Sequence, residues 1–539
     1  MVRVAGNPGR QHLDGNVALQ SRVVRPVHLA HTTGADRFPD LVVPERFADH
    51  FAALPSEETL GRILARILSR PVDAVGEALD ALDPRAYRLP RYSITNAGVT
   101  PMPRRSLICL LTVLLVFAIA VGAGAQQWTP DKPGSDNITV VSHLPLGAPL
   151  SVADIEIEQE LDRPYVYVAR EVFGEYGEKG MDVIDLSDPA NPEVIHAWRI
   201  ENQDLHTGAG GKDIKYFTWA GRYYVLLSLQ FGQGGPNPDL GAVIFDVTDL
   251  PEKIEEVARI HAPDLPGGFH NIFIYQHSNG RPLLFTTVRG PGAHVYDLGH
   301  VISGHMEDAL VAQVPVGDGP AGERGYRGYH DLYVGWHPDT QSDRFYGGGT
   351  DGYYVYDVTN LEDPQLVVSL NGISGVQYGH TFTPSPDGRY VVAETEYQYA
   401  PLRIFDLKPA LDGETKIIRS PISAWTADWR HLVHNHEVRW PFVFVSGYVD
   451  GLQVFTMMDP ENPRTVAYYD TFLGPNPGPE GGNLFDGAWG VDVRNADGLI
   501  VISDMTTGFW AFRMDGFQGW SGAEWGQPDI SSAQPTGEQ

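Results

Sequence analysis

The chain has 539 residues, 42% of them hydrophobic and 11% aromatic, which is ample for a packed core. It carries 39 Lys and Arg against 68 Asp and Glu; residues 1–125 hold 14 Arg and 11 acids, and the remainder holds 25 basic and 57 acidic groups. So acidic a surface repels nucleic acid and anionic lipid, and the single cysteine, Cys109, leaves everything beyond it without disulfides, a thiol nucleophile or Cys-held metals.

The 59 Gly and 41 Pro punctuate short apolar segments, the pattern of a turn-rich all-β protein. In residues 1–101 one stretch reads as helix, Pro55–Asp83, where Leu60, Ile63, Leu64, Ile67 and Leu68 recur at helical spacing. Met102–Ala125 then reads as a signal peptide. Arg104 and Arg105 form its positive end, Leu107–Val121 its apolar run, and Ala123-Gly124-Ala125 its cleavage pattern. Two readings fit its internal position. Either Met102 is the true start and residues 1–101 are a mis-assigned extension, or 107–125 is an uncleaved membrane anchor. Both put the rest outside the cytoplasm: periplasmic, extracellular or at the cell surface. Residues 126–137 read as a linker, and Asn137-Ile-Thr139 fits a glycosylation sequon.

From residue 138 one pattern recurs: a turn residue, two variable positions, an apolar residue, an aromatic or apolar one, and often Asp. It runs Gly180-Met-Asp-Val-Ile-Asp185, Gly241–Asp246, Gly292–Asp297, Gly352-Tyr-Tyr-Val-Tyr-Asp357, Pro401–Asp406, Gly451–Thr456 and Gly508–Arg513. An apolar strand precedes each copy: Tyr165–Ala169, Tyr224–Ser228, Leu283–Thr287, Arg344–Gly348, Tyr390–Glu394, Phe442–Ser446 and Leu499–Ser503. Asp351-Gly352 and Asp450-Gly451 supply the positive φ a tight hairpin needs. With a short strand before each pair and one after it, every unit has four strands, one propeller blade. The seventh copy has no fourth strand of its own, and Ile138–Leu144 has no blade. The expectation is therefore a seven-bladed β-propeller over 138–517, closed by the N-terminal strand, with a disordered tail at 518–539.

Val183-Ile-Asp-Leu-Ser-Asp-Pro189, Val355-Tyr-Asp-Val-Thr-Asn-Leu361 and Val454-Phe-Thr-Met-Met-Asp-Pro460 resemble the LVIVD-repeat family. The resemblance covers most of residues 150–515 and implies an exported propeller. It is nearly silent about chemistry, because strand and turn residues carry it, and the chain departs from the family pattern at the inner strand.

Alignment of the blades on their first strands yields one comparable position each: Asp154, Asp213, His270, His330, His380, His436 and Trp489. First strands line a propeller's channel, so these positions converge on the axis. Four imidazoles there suit a divalent transition metal. Asp331 and Glu437 follow two of the histidines and could act as outer-sphere acceptors or further ligands. The plain alternative is a hydrogen-bonded histidine at each strand start. His431 and His434 precede His436, and His434-Asn-His436 has the His-x-His spacing of a possible metal pair, whereas His206, His294, His300 and His305 read as surface residues. Gly208–Gly211 and Gly232–Gly235 lack the following helix a phosphate loop needs, and no Gly-x-Ser-x-Gly or His-Glu-x-x-His occurs. The loops Gln230–Leu240 and Leu473–Asp486 are expected on propeller faces. Two functions remain open. One is a secreted binding module taking a protein, glycan or small molecule on a propeller face. The other is a metal-dependent redox or hydrolytic enzyme using the four histidines. Nucleic acid is excluded as a partner, and a membrane enters only with an uncleaved anchor.

Overall fold

The computed structural model describes residues 133–231, 235–472 and 484–529. The helical stretch, the export segment, most of the linker, 232–234, 473–483 and 530–539 lie outside the described residues. Among the described residues no helix is long and apolar enough to cross a membrane.

Seven four-stranded antiparallel sheets stand in a ring, a seven-bladed β-propeller. Blade 1 comprises β2 (Val152–Ile157), β3 (Tyr165–Arg170), β4 (Gly180–Asp185) and β5 (Glu193–Arg199). Blade 2 comprises β6 (Gly210–Trp219), β7 (Arg222–Gln230), β8 (Leu240–Asp246) and β9 (Glu255–His261). Blade 3 holds β10 (Ile272–Gln276), β11 (Pro282–Thr287), β12 (Ala293–Asp297) and β13 (Leu310–Val314). Blade 4 holds β14 (Tyr329–His337), β15 (Ser342–Gly349), β16 (Gly352–Asp357) and β17 (Gln365–Asn371). In blade 5 follow β18 (Phe382–Pro384), β19 (Tyr390–Ala393), β20 (Leu402–Asp406) and β21 (Ser423–Trp425). Blade 6 has β22 (Asn435–Arg439), β23 (Phe442–Ser446), β24 (Leu452–Thr456) and β25 (Arg464–Tyr469). Blade 7 joins β26 (Ala488–Arg494), β27 (Leu499–Asp504) and β28 (Gly508–Met514) to β1 (Ile138–Leu144).

The predicted closure is present: β1 runs antiparallel to β28, from Ile138 opposite Met514 to Leu144 opposite Phe509. His143 stacks on Trp510 at 3.9 Å across that seam. Asn137, the sequon residue, donates its amide to the Val466 carbonyl at 3.0 Å. The seam thus ties the N-terminal strand to blades 6 and 7.

Second strands sandwiched between neighbouring blades are buried on both faces, as in Leu-Ile-Val-Ile-Ser-Asp of β27. This two-sided burial makes them continuous apolar runs rather than alternating ones. Outer strands such as β5 are partly exposed and carry charge. The Asp that closes the third strand has a local cause. Its carboxylate accepts the backbone N–H two residues on, at 2.7 Å from Asp185 to Ser187, 3.0 Å from Asp246 to Thr248 and 3.0 Å from Asp357 to Thr359. Such Asx turns start the Pro-containing connection to the outer strand. Asp351 and Gly352 adopt the expected positive φ, at 68° and 138°. Of Asp450-Gly451 the glycine does so, at φ 66°, within a longer loop. The packed chain also runs beyond residue 517. Trp520 is buried and donates its indole N–H to the Trp440 carbonyl at 2.7 Å, and Gly522–Trp525 forms a short helix.

Candidate functional site

Each inner strand opens with a bulge, and the bulges aim the residues at the channel mouth. Pairing of β2, β6, β14 and β26 with their second strands shifts register between Val152 and Ile155, Gly211 and Ile214, Tyr329 and Asp331, and Ala488 and Gly490. In blade 5 the same two-against-one pairing occurs, with Glu394 facing both His380 and Thr381 through bonds of 2.9 Å. A bulge re-aims one side chain and leaves a backbone N–H without a ladder partner. Hydroxyls at the ends of the second strands take up that N–H. Ser228 Oγ accepts from Asp213 N at 2.8 Å, Thr287 Oγ1 from Asn271 N at 2.9 Å, Ser446 Oγ from Asn435 N at 3.2 Å, and Ser503 Oγ from Gly490 N at 3.0 Å. In blade 4 the place belongs to Gly348, where a Cβ would stand 1.8 Å from the His380 carbonyl oxygen.

The bulged residues form a ring: Ala153, Lys212, His270, His330, His380, His434 and Trp489. Ring centroids lie 4.5 Å apart for His270 and His330, 4.1 Å for His330 and His380, 5.1 Å for His380 and His434, and 3.8 Å for His434 and Trp489. The Lys212 ammonium sits 4.6 Å from the Trp489 ring and 2.5 Å from Glu171 Oε2. A small cavity is lined by Lys212, His270, His434 and Trp489 together with Asp154, Asp213, Asn271 and Asn435.

Two carboxylates reach the imidazoles from the end of β19. Glu394 Oε2 lies 2.6 Å from His380 Nδ1, and Glu396 Oε2 lies 3.7 Å from His380 Nε2. The Tyr448 hydroxyl donates to the other oxygen of Glu396. Burial pushes the His380 pKa down, but Glu394 and Glu396 outweigh it and hold it at about 9. Burial lifts Glu394 to about 7 against the pull of His380. Burial, then nearby positive charge, holds His270, His330 and His434 well below the ordinary imidazole value, so these three are neutral. His330 Nδ1, His380 Nε2 and Glu394 Oε1 are buried without a hydrogen-bond partner.

Of the residues singled out from sequence, His270, His330, His380 and Trp489 stand on this ring. In blade 6 the ring residue is His434. His436 lies two places on, where the other blades carry Ile155, Ile214, Ile272, Leu332, Phe382 and Val491 between their sheets. It is buried with no well-formed hydrogen bond at either nitrogen, only a weak backbone contact to Val392, and burial lowers its pKa to about 3. Asp154 and Asp213 sit one residue past the ring positions Ala153 and Lys212, where the Lys215 ammonium binds them at 3.2 and 2.7 Å. Asp331 ties blade 4 to blade 5 by accepting from Thr381 Oγ1 at 2.8 Å. Glu437 accepts from Arg439 at 2.7 Å, further along the channel. The alignment on the first strands slipped by one place in blades 1 and 2 and by two in blade 6, because a bulge adds a residue whose place the strand pattern does not mark. Lys212, Glu394, Glu396 and Tyr448 escaped the sequence reading. The repeated Ser or Thr at the second-strand ends was the available signal for where each bulge falls. His206 and His294, read as surface residues, are buried; His206 packs on Phe231 with ring centroids 4.5 Å apart.

Fold and ring together define a β-propeller with four imidazoles, a lysine and a tryptophan gathered where its inner strands begin. Neither a protein-family model nor a curated protein sequence matches the chain.

Proposed function

We propose that the chain is an exported propeller of the LVIVD type, acting as a binding module whose ligand seat is the histidine-lined channel mouth. The observation that carries this reading is the set of unpartnered buried atoms there, His330 Nδ1, His380 Nε2 and Glu394 Oε1. Each such atom costs about 1–3 kcal/mol, and a propeller core made of apolar blade contacts has no need of them. A small polar ligand that donates and accepts hydrogen bonds would satisfy them, with Lys212 and the face of Trp489 beside it. The signal-like segment Met102–Ala125 and the acidic surface support export and solubility.

Thermal-shift screening of the purified protein against small amines, carboxylates and sugars tests the reading. Compounds that raise the Tm of the wild type should lose that effect in a Lys212→Met, Trp489→Phe double variant. Equal protection of wild type and variant by every binding compound would place the ligand elsewhere.

A further inference from the structure

We propose that a divalent transition-metal ion binds between His330, His380 and Glu396. The inference rests on the reading of the channel mouth as the ligand seat, and it names the occupant. Each of the three residues offers one donor atom, and these atoms lie within 4.8 Å of one another. Donors about 2.0–2.2 Å from one ion stand roughly 3.4 Å apart in a tetrahedral arrangement, so a bound ion draws these inward by side-chain adjustment.

The surroundings are set up for ligation. Glu394 Oε2 accepts the Nδ1–H of His380 at 2.6 Å, which directs Nε2 toward Glu396 with no hydrogen-bond partner of its own, and an incoming ion would displace the Nε2 proton. A carboxylate that fixes a histidine tautomer in this way is the usual outer support of a metal-bound imidazole. Tyr448 holds one oxygen of Glu396 and leaves the other, 3.7 Å from His380 Nε2, for the ion. His330 Nδ1 is likewise buried and bare. The flanking imidazoles are tied through their Nδ1 atoms, His270 to Gln230 Oε1 at 3.2 Å and His434 to the Trp489 carbonyl at 2.8 Å. Two imidazoles and one carboxylate suit zinc, iron(II), manganese or cobalt rather than the all-oxygen ions calcium and magnesium. Three protein ligands also leave a coordination position for water or an exogenous group.

The test uses full-length protein purified without a histidine tag. Its metal content is measured as isolated, and again after chelation and titration with Co2+, whose visible bands report the ligand field. One ion per chain is expected. His380→Ala and His330→Ala should abolish the Co2+ bands, Glu396→Gln should weaken binding at least tenfold, and Glu394→Gln should weaken it about 10–100-fold. His436→Leu should leave it unchanged. The glutamine variants keep side-chain shape, so they decide the matter should an alanine variant fail to fold. Absence of a stoichiometric ion before and after titration would overturn the proposal, as would an ion that binds Glu396→Gln and Glu394→Gln as tightly as wild type. Should no ion bind while the small-ligand protection described above persists, the metal falls and the ligand seat stands. Loss of both sinks both.

Discussion

Replacement of His436 by leucine is expected to stabilise the propeller, and to do so more strongly in acid. The imidazole occupies a site that six other blades fill with Ile, Leu, Phe or Val, and its nitrogens make no well-formed hydrogen bond, with only a weak backbone contact to Val392. An unsatisfied buried polar group costs about 1–3 kcal/mol, so His436→Leu, with similar volume, should gain about that much at pH 7.5. Acid adds a second term. Burial depresses the folded-state pKa from 6.5 to about 3, so between these values the unfolded chain takes up a proton that the folded chain refuses. Wild-type stability therefore falls as pH drops below 6.5. At pH 5 the loss from this one group is about 2 kcal/mol, and the leucine variant does not share it. Urea unfolding of both proteins at pH 7.5 and pH 5, followed by tryptophan fluorescence, measures the difference. A variant less stable at pH 7.5, or a gap that does not widen on acidification, would refute the placement of His436 between the blades.

Three further perturbations probe the frame around the site. Arg163→Ala strips the charge partner from Glu158, whose side chain is fully buried and bonded to Arg163 Nε at 2.5 Å, and leaves it only the Tyr167 hydroxyl; the uncompensated carboxylate should cost about 3–5 kcal/mol in a denaturation experiment. Gly348→Ala puts a methyl into the His380 carbonyl and should cost about 1–3 kcal/mol or more, while also weakening Co2+ binding because the backbone of His380 must shift. Deletion of the chain through Leu144 removes β1 and bares the edge of β28; size-exclusion chromatography should show association or aggregation where the full chain is discrete.

The blades were legible because two-sided burial and Asx turns repeat the same local chemistry seven times. The displaced N-terminal strand was legible for a related reason: Ile138–Leu144 matches an outer strand, and the last blade lacked one. The mouth was less legible. Val152–Ile155 and Gly211–Ile214 each contain a bulge, and matching the blades on their first strands reaches Asp154 and Asp213 instead of Ala153 and Lys212. His434-Asn-His436 presents two histidines, and only three-dimensional register tells the axial one from the one between sheets. Glu394 and Glu396 reach His380 from the neighbouring strand of the same blade, a contact that no spacing rule along the chain announces.

The seam between β1 and β28 ties together the earliest and the latest parts of the propeller to leave the ribosome. Until Gly508–Met514 has emerged, the circle stays an open fan with Ile138–Leu144 unattached, so the cooperative gain of closure arrives in a single late event.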